Sequence, residues 1–221
     1  MSAGREYTFL NPAPLSRTVI QWLWIDLAVS VVGAVSSVWA IAETLGVNTS
    51  LPSDTALTSD IPLAIVGLAQ VAVFLVTGFL VLKWIYRVSR NAHSAVRGLK
   101  VTPPWAVGWY FVPVAFLWKP FEAMRETWQA STDPTAWPGV PVPAMLRWWW
   151  GLFLASNFTG QLSFRIALRA GTLGGMAVAS GFDLASALIS VPLDLIFIRI
   201  VRELTNKQVL DLTFGSAKEA D

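Results

Sequence analysis

The sequence predicts an all-α membrane protein with four transmembrane helices, a short Trp- and Pro-rich segment that is re-entrant or interfacial, and one amphipathic surface helix. Three observations predict it. Hydrophobic residues make up 54% of the 221 residues and charged residues only 14%, against about 25% charge in ordinary soluble domains. Mean hydropathy is +0.55. The apolar residues also gather into long runs, and about 20 such residues cross about 30 Å of hydrocarbon. The same composition excludes a disulfide scaffold, since there is no Cys, and a disordered chain, which needs low hydrophobicity. A net charge of only +2 argues against a nucleic-acid-binding domain.

The elements follow in chain order. Residues 1–17 form a polar arm with Pro12 and Pro14, expected to be cytoplasmic and partly mobile. Residues 18–42 are the first span, with Asp26 as its only charge. Ala40-Ile41-Ala42 resembles a signal-peptide cleavage site. The apolar run is too long for a cleaved h-region of about 7–15 residues, and Asp26 interrupts it, so the span is read as retained. Residues 43–60 form the outer loop: Glu43, Asp54 and Asp60, with no Lys or Arg. Asn48-Thr49-Ser50 there fits the glycosylation sequon but reads as ordinary polar loop.

Residues 61–87 are the second span, with Lys83 near its end. A basic loop follows, carrying Arg87, Arg90, Arg97 and Lys100 over residues 87–100. It suits retention on the inner side and contact with anionic lipid, at about 1 kcal/mol per Lys or Arg. His93 reads as solvated within it. Residues 105–118 are apolar but short, and Pro113 removes a backbone donor mid-run. Residues 120–130 read as the surface helix, with Pro120 at its start and Phe121, Met124 and Trp128 on one stripe. Glu122 and Glu126 read as its solvated face. Residues 145–168 are the third span, opened by the rings of Trp148, Trp149 and Trp150, which favour the headgroup level. Residues 174–201 are the fourth. Residues 203–221 read as a frayed cytoplasmic tail, leaving one helical membrane domain over 18–202.

Basic residues arbitrate the topology, because they favour the cytoplasmic side. If 105–118 crosses the bilayer, nine Lys/Arg lie inside and seven outside. If it dips in and returns, fourteen lie inside and only Arg165 and Arg169 outside. The second arrangement is preferred, with four spans and both termini cytoplasmic.

Charges within spans cost at least about 2.5–3.5 kcal/mol each, so they mark the candidate site. Asp26 and Asp194 fall at matched depth, about 12 Å from the inner boundary at 1.5 Å per residue. Lys83 and Arg199 lie nearer that boundary, and the four together are neutral. Asp183, eleven residues before Asp194, shares its helix face. With Gln70 and Asn157 near mid-span, these residues form a potential polar track for protons or ions. The competing reading is a set of interhelical hydrogen bonds holding the bundle. Gly171-x-x-x-Gly175 and Gly33-x-x-x-Ser37 permit close helix approach, at a bundle seam or in a homo-oligomer. Trp105, Trp109, Tyr110, Phe111, Pro113, Phe116 and Trp118 offer either a pocket for an apolar ligand or lipid tail, or an interfacial aromatic belt.

No catalytic motif is visible. There is no Walker sequence, no H-E-x-x-H and no G-x-G-x-x-G. His93 has no Ser, Cys or carboxylate at motif spacing. No cofactor or metal site is expected, and the expected partners are membrane lipids. A non-enzymatic role is expected, with small-solute, proton or apolar-ligand transport as the alternative.

Several stretches carry a family resemblance. Arg90-Asn91-Ala92 follows the second span. Then come Pro104-Trp105-Ala106-Val107-Gly108-Trp109-Tyr110-Phe111-Val112-Pro113, Pro120-Phe121-Glu122-Ala123-Met124-Arg125-Glu126-Thr127-Trp128, and the Trp-rich span from Trp148. This order resembles the bacterial membrane family known as domain of unknown function 4328, over about residues 60–205. Where that pattern often has Asn, this chain has Phe116. The resemblance implies a bacterial inner-membrane protein and no particular activity. Pro103-Pro104-Trp105 and the Trp-rich composition are also distantly similar to tryptophan-rich sensory proteins.

Overall fold

The computed structural model describes residues 7–44, 46 and 56–218. The outer-loop residues Asn48 and Asp54 lie outside them. Among the described residues the chain is all-helical, with no strand. The α-helices are α1 (Ala13–Thr44), α2 (Ala56–Ala95), α3 (Pro103–Gly108), α4 (Lys119–Thr132), α5 (Ala144–Ala167) and α6 (Leu173–Lys218). Among the described residues three apolar stretches are long enough to cross a membrane by length and composition: Ala13–Ala42, Gly67–Ala95 and Gly174–Leu210.

Local chemistry sets the helix ends. The Asn11 side chain accepts the Ala13 N–H at 2.9 Å, satisfying one of the orphan donors of the first turn. The Thr172 hydroxyl accepts the Gly175 N–H at 3.2 Å where α6 begins. Gly175 therefore belongs to a helix start, and Gly171 has open space around it. Pro192 lies inside α6. Its missing N–H costs one helical bond, which transmembrane helices tolerate.

The chain divides into two compact units. The first comprises residues Met1–Gln21, Gly78–Trp148 and Phe197–Asp221. It holds most of the buried apolar side chains, including Val19, Trp84, Val88, Met124, Leu146, Ile200 and Leu204. A buried polar network runs through it. Asn91 accepts the Leu10 N–H at 2.9 Å and donates to the Leu10 carbonyl at 2.8 Å and to Gln208 Oε1 at 2.9 Å. Gln208 Nε2 donates in turn to the Val88 carbonyl at 2.8 Å and to Ser131 Oγ at 2.9 Å.

Several sequence expectations change in this unit. Residues 7–12 are held rather than loose. Besides Asn91, the Arg87 guanidinium donates to the Asn11 carbonyl and that of Arg90 to Thr8 Oγ1. Residues 87–95 are helix, not loop. Half-buried His93 donates from Nδ1 to the Ser89 carbonyl at 2.8 Å and meets the Tyr7 ring edge-on. The tail is not frayed over 203–210, because α6 continues through it and buries Leu204, Thr205 and Gln208.

α4 is packed rather than superficial. Met124 and Trp128 are buried as the stripe requires, but so are Glu126, Thr127, Gln129 and Ser131. Glu122 makes the surface ion pair, to Lys119. Glu126 is not solvated. One of its oxygens accepts the N–H groups of Lys100 at 2.9 Å and Val101 at 3.1 Å. A carboxylate can be buried because charge-assisted bonds of this kind replace its hydration.

α4 ends where Asp133 accepts the Thr135 hydroxyl, the Thr135 N–H and the Ala136 N–H. These donors hold its carboxyl below the ordinary carboxylate range. The stabilisation is therefore present above the unfolded value of about 3.9 and is lost as pH falls through the lower folded value. Carbon-detected NMR of the solubilised chain should show Asp133 as the last of the loop carboxylates to protonate on acidification. An ordinary midpoint would mean that this turn does not persist in solution.

The second unit comprises residues Trp22–Thr77 and Trp149–Ile196. Its surface is dominated by large apolar side chains, among them Val35, Leu68, Phe74, Phe164 and Leu188. Exposed apolar surface on this scale marks an interaction surface rather than a water-facing one. α5 and α6 pair here through small residues. Ser156 Oγ lies 3.3 Å from Ser186 Oγ and 3.1 Å from Ser190 Oγ. Ser163 donates to the Ala179 carbonyl at 2.9 Å, and a Cβ on Gly160 would touch Ser186 Oγ at 3.5 Å. Small residues and hydroxyls of this kind join helices where no hydrophobic effect is available.

Residues 105–118 do not form one continuous helix. α3 gives way to 3-10 turns at Trp109–Phe111 and Ala115–Leu117. Between them the Ala115 N–H donates to the Pro113 carbonyl at 2.8 Å, and Val114 has φ 67 and ψ −54. That is a γ-turn of the rare positive-φ kind, strained for a β-branched residue. Pro113 helps to force it, since the helix cannot run through a missing donor.

Candidate polar groove

The second unit contains a groove of about 330 Å³. α1 contributes Ser30, Gly33, Ser36, Ser37 and Ala40. α2 contributes Gly67 and Gln70. α6 contributes Ser180, Asp183, Ser186, Ala187 and Ser190. Five serines beyond Ser37, together with a carboxylate and an amide, therefore line one space within otherwise apolar helices.

Helical periodicity explains the convergence. Ser30, Gly33, Ser37 and Ala40 are spaced three, four and three residues apart, which keeps one face of α1. Ser180, Asp183, Ala187 and Ser190 repeat the same spacing on α6. Two faces with one spacing can run alongside each other over their whole length. At Gly33 a Cβ would fall on the side-chain amide of Gln70, which would then have to move. The missing side chain lets Gln70 reach across α1, the close approach for which glycine suits an interhelical seam.

The structure brings some of the expected site residues together and separates others. Asp183 and Gln70 line the same groove, and Asp183 is exposed. Asp194 is buried, with 5% of its surface exposed, and among the described residues its Oδ2 has no hydrogen-bond partner. Asn157 donates to the Phe153 carbonyl of its own helix at 2.8 Å and is not among the groove residues. Arg199 pairs with Glu203 at 2.6 Å rather than joining a four-charge cluster. Lys83 is exposed and, like Arg199, belongs to the first unit. Among the described residues no ion pair involves Arg165 or Arg169.

The aromatic segment lies in the first unit. The Trp105 and Trp109 rings meet at 4.5 Å. Trp105, Phe111 and Trp118 are exposed, as is Pro113, while Trp109, Tyr110 and Phe116 are half-buried. Burial pushes the Tyr110 hydroxyl above its ordinary range.

The groove serines were not singled out from sequence, apart from Ser37. The signal was available: a 3.6-residue period applied to small and hydroxyl residues, instead of to apolar ones, picks out both faces. Among the described residues no group of three or more His, Cys, Asp or Glu forms a metal cage.

Described residues that are all-helical, with three helices among them long and apolar enough to cross a membrane and a polar groove set among these, have the character of a polytopic membrane protein. The chain belongs to the family of the domain of unknown function DUF4328, whose model matches residues 47–206. No curated protein and no solved structure matches it.

Proposed function

We propose that the chain is a non-enzymatic, four-span protein of the bacterial inner membrane that binds a small polar or ionic solute in the groove lined by Ser30, Ser37, Gln70, Asp183 and Ser186. The observation that carries the reading is that groove. Hydroxyl, amide and carboxylate groups face one space inside helices whose other faces are apolar. Exposing such groups to hydrocarbon is costly unless they meet water, a solute or one another.

α5 is the fourth span in this reading. Its 24 residues reach about 36 Å at 1.5 Å per residue, and Phe158, Leu162 and Phe164 are exposed on it. The distribution of basic residues supports a topology with both termini inside. Residues 103–118, broken by the Val114 turn, stay at one interface, where Trp105, Phe111 and Trp118 meet lipid. Arg87 and Arg90 are engaged by the N-terminal arm, so Arg97 and Lys100, both exposed, are the residues free to attract anionic lipid.

The absence of cysteine makes the reading testable by single substitutions. In intact cells or sealed vesicles, Thr132→Cys should react with a membrane-impermeant maleimide only after permeabilisation. Ser37→Cys should react with the same reagent, because the groove is hydrated, while Val35→Cys on the apolar face should not. Labelling of Thr132→Cys from outside would remove the four-span topology. An unreactive Ser37→Cys would remove the hydrated groove.

A further inference from the structure

The groove does not end the polar faces that line it. One helical turn beyond Ser30 on α1 stands Asp26, and one turn beyond Ser190 on α6 stands Asp194. The matching extends to both acids. The helices carry the same spacing in opposite chain directions, so a register that sets Ser30 beside Ser190 sets Asp26 beside Asp194. Ser30 and Ser190 line the same groove, as that register requires. Among the described residues Asp194 Oδ2, which is fully buried, has no hydrogen-bond partner, although buried polar atoms are nearly always paired.

We propose that Asp26 and Asp194 together bind a hard divalent cation, of the Mg²⁺ or Mn²⁺ class, at the end of the groove. This rests on the reading of the groove as a hydrated, solute-binding site. The ligand set fixes the class of ion. Carboxylate and hydroxyl oxygens without His or Cys suit hard cations rather than zinc or copper. Mg²⁺ is held by one or two carboxylates and keeps several of its waters, which a hydrated groove accommodates. Two carboxylates also balance a divalent charge, and neutrality matters most where the surroundings are apolar. Ser30, one turn away on α1, is placed to bond to the ion's waters, whereas the Ser190 hydroxyl is engaged with Ser186 and Ser156.

The test uses Mn²⁺ and the full-length chain purified in detergent. Free hexaaqua Mn²⁺ gives a sharp six-line EPR signal that is lost on binding, so a titration counts sites directly. The expected result is one saturable site per chain, displaced by excess Mg²⁺ and unaffected by equal ionic strength of Na⁺. Asp26→Asn and Asp194→Asn should each weaken binding at least tenfold. Asp133→Asn, whose parent carboxylate serves its own turn, should bind as the parent does. Should Asp194→Asn fail to elute as a folded protein, Asp26→Asn decides, since Asp26 is only half-buried. A parent chain without a saturable site, or Asn variants that bind as the parent does, would overturn the proposal. If Ser37→Cys is labelled while Mn²⁺ does not bind, the cation site fails and the hydrated groove survives.

Discussion

Trp84→Ala should lower stability by about 3–5 kcal/mol, the range for truncating a fully buried large aromatic side chain. Trp84 has no exposed surface and joins two elements of the first unit. Its ring meets Phe197 edge-on at 5.9 Å, and its Nε1–H donates to Thr205 Oγ1 at 3.3 Å. Alanine would leave a cavity among α2 and α6 residues and deprive the buried Thr205 hydroxyl of a donor. Packing this dense cannot collapse to fill so large a void. For a chain of this size the loss corresponds to a fall in Tm on the order of 10 °C. Trp84→Phe separates the two contributions. It keeps most of the ring volume, so it should lose only the hydrogen bond and part of the contact, about a third of the alanine effect. Thermal unfolding of the detergent-purified variants, followed by Trp fluorescence and by helical circular dichroism, measures both. Equal destabilisation by Phe and Ala would show that the hydrogen bond, not the packing, dominates.

Trp84 also illustrates what the sequence conceals. Apolar runs predicted where helices lie, because composition over about 20 residues is a property of the run itself. They did not predict which part of each helix packs inside protein. Residues 61–87 look uniform in hydropathy, yet Phe74 is 63% exposed and Trp84 is buried completely. One phenyl ring faces outward and the other ring fills a core, and only the tertiary partners of α6 distinguish them. The polar side chains were misjudged for a related reason. Glu126 on an amphipathic helix has the sequence of a solvated residue. Its burial depends on two N–H groups some 25 residues away in the chain, which no local pattern displays.

The site was partly legible. Asp183 and Gln70 were expected on one track and share one groove. Their common depth follows from helix rise, which is readable from residue number. Asn157 and Arg199 had suitable depth but not suitable direction: each satisfies itself within its own helix, at Phe153 and Glu203. Local partners three or four residues away compete with interhelical ones, and depth alone cannot foresee which wins. The serines do not stand out in the sequence, because a hydroxyl is nearly neutral in hydropathy, whereas a carboxylate is conspicuous.

Asn91→Ala is expected to cost about 2–3 kcal/mol through a different mechanism, the orphaning of the buried Gln208 Oε1, at about 1–3 kcal/mol, together with loss of the bonds to the partly buried Leu10 backbone. Asn91 is completely buried, and its amide has the one arrangement that satisfies three groups together. Oδ1 accepts from Leu10 N–H, and Nδ2 donates both to the Leu10 carbonyl and to Gln208 Oε1. The pairing with Leu10 copies the bonding of one strand residue to another, so a single side chain fastens the N-terminal arm to α2. Alanine would strand all three partners. Aspartate would retain the acceptor for Leu10 N–H but set oxygens against the Leu10 carbonyl and Gln208 Oε1. Gln208 cannot turn over to relieve this, because its Nε2 is committed to Val88 and Ser131. Asn91→Asp should therefore be destabilised as well, despite its near-identical shape. The measurement that separates this mechanism from loss of packing is amide hydrogen exchange. In both variants the Leu10 amide should lose its protection, and the protection of residues 7–12 should fall before that of the α4 core around Met124. Retained protection at Leu10 in Asn91→Ala would show that Arg87 and Arg90 suffice to hold the arm and that Asn91 is not its anchor.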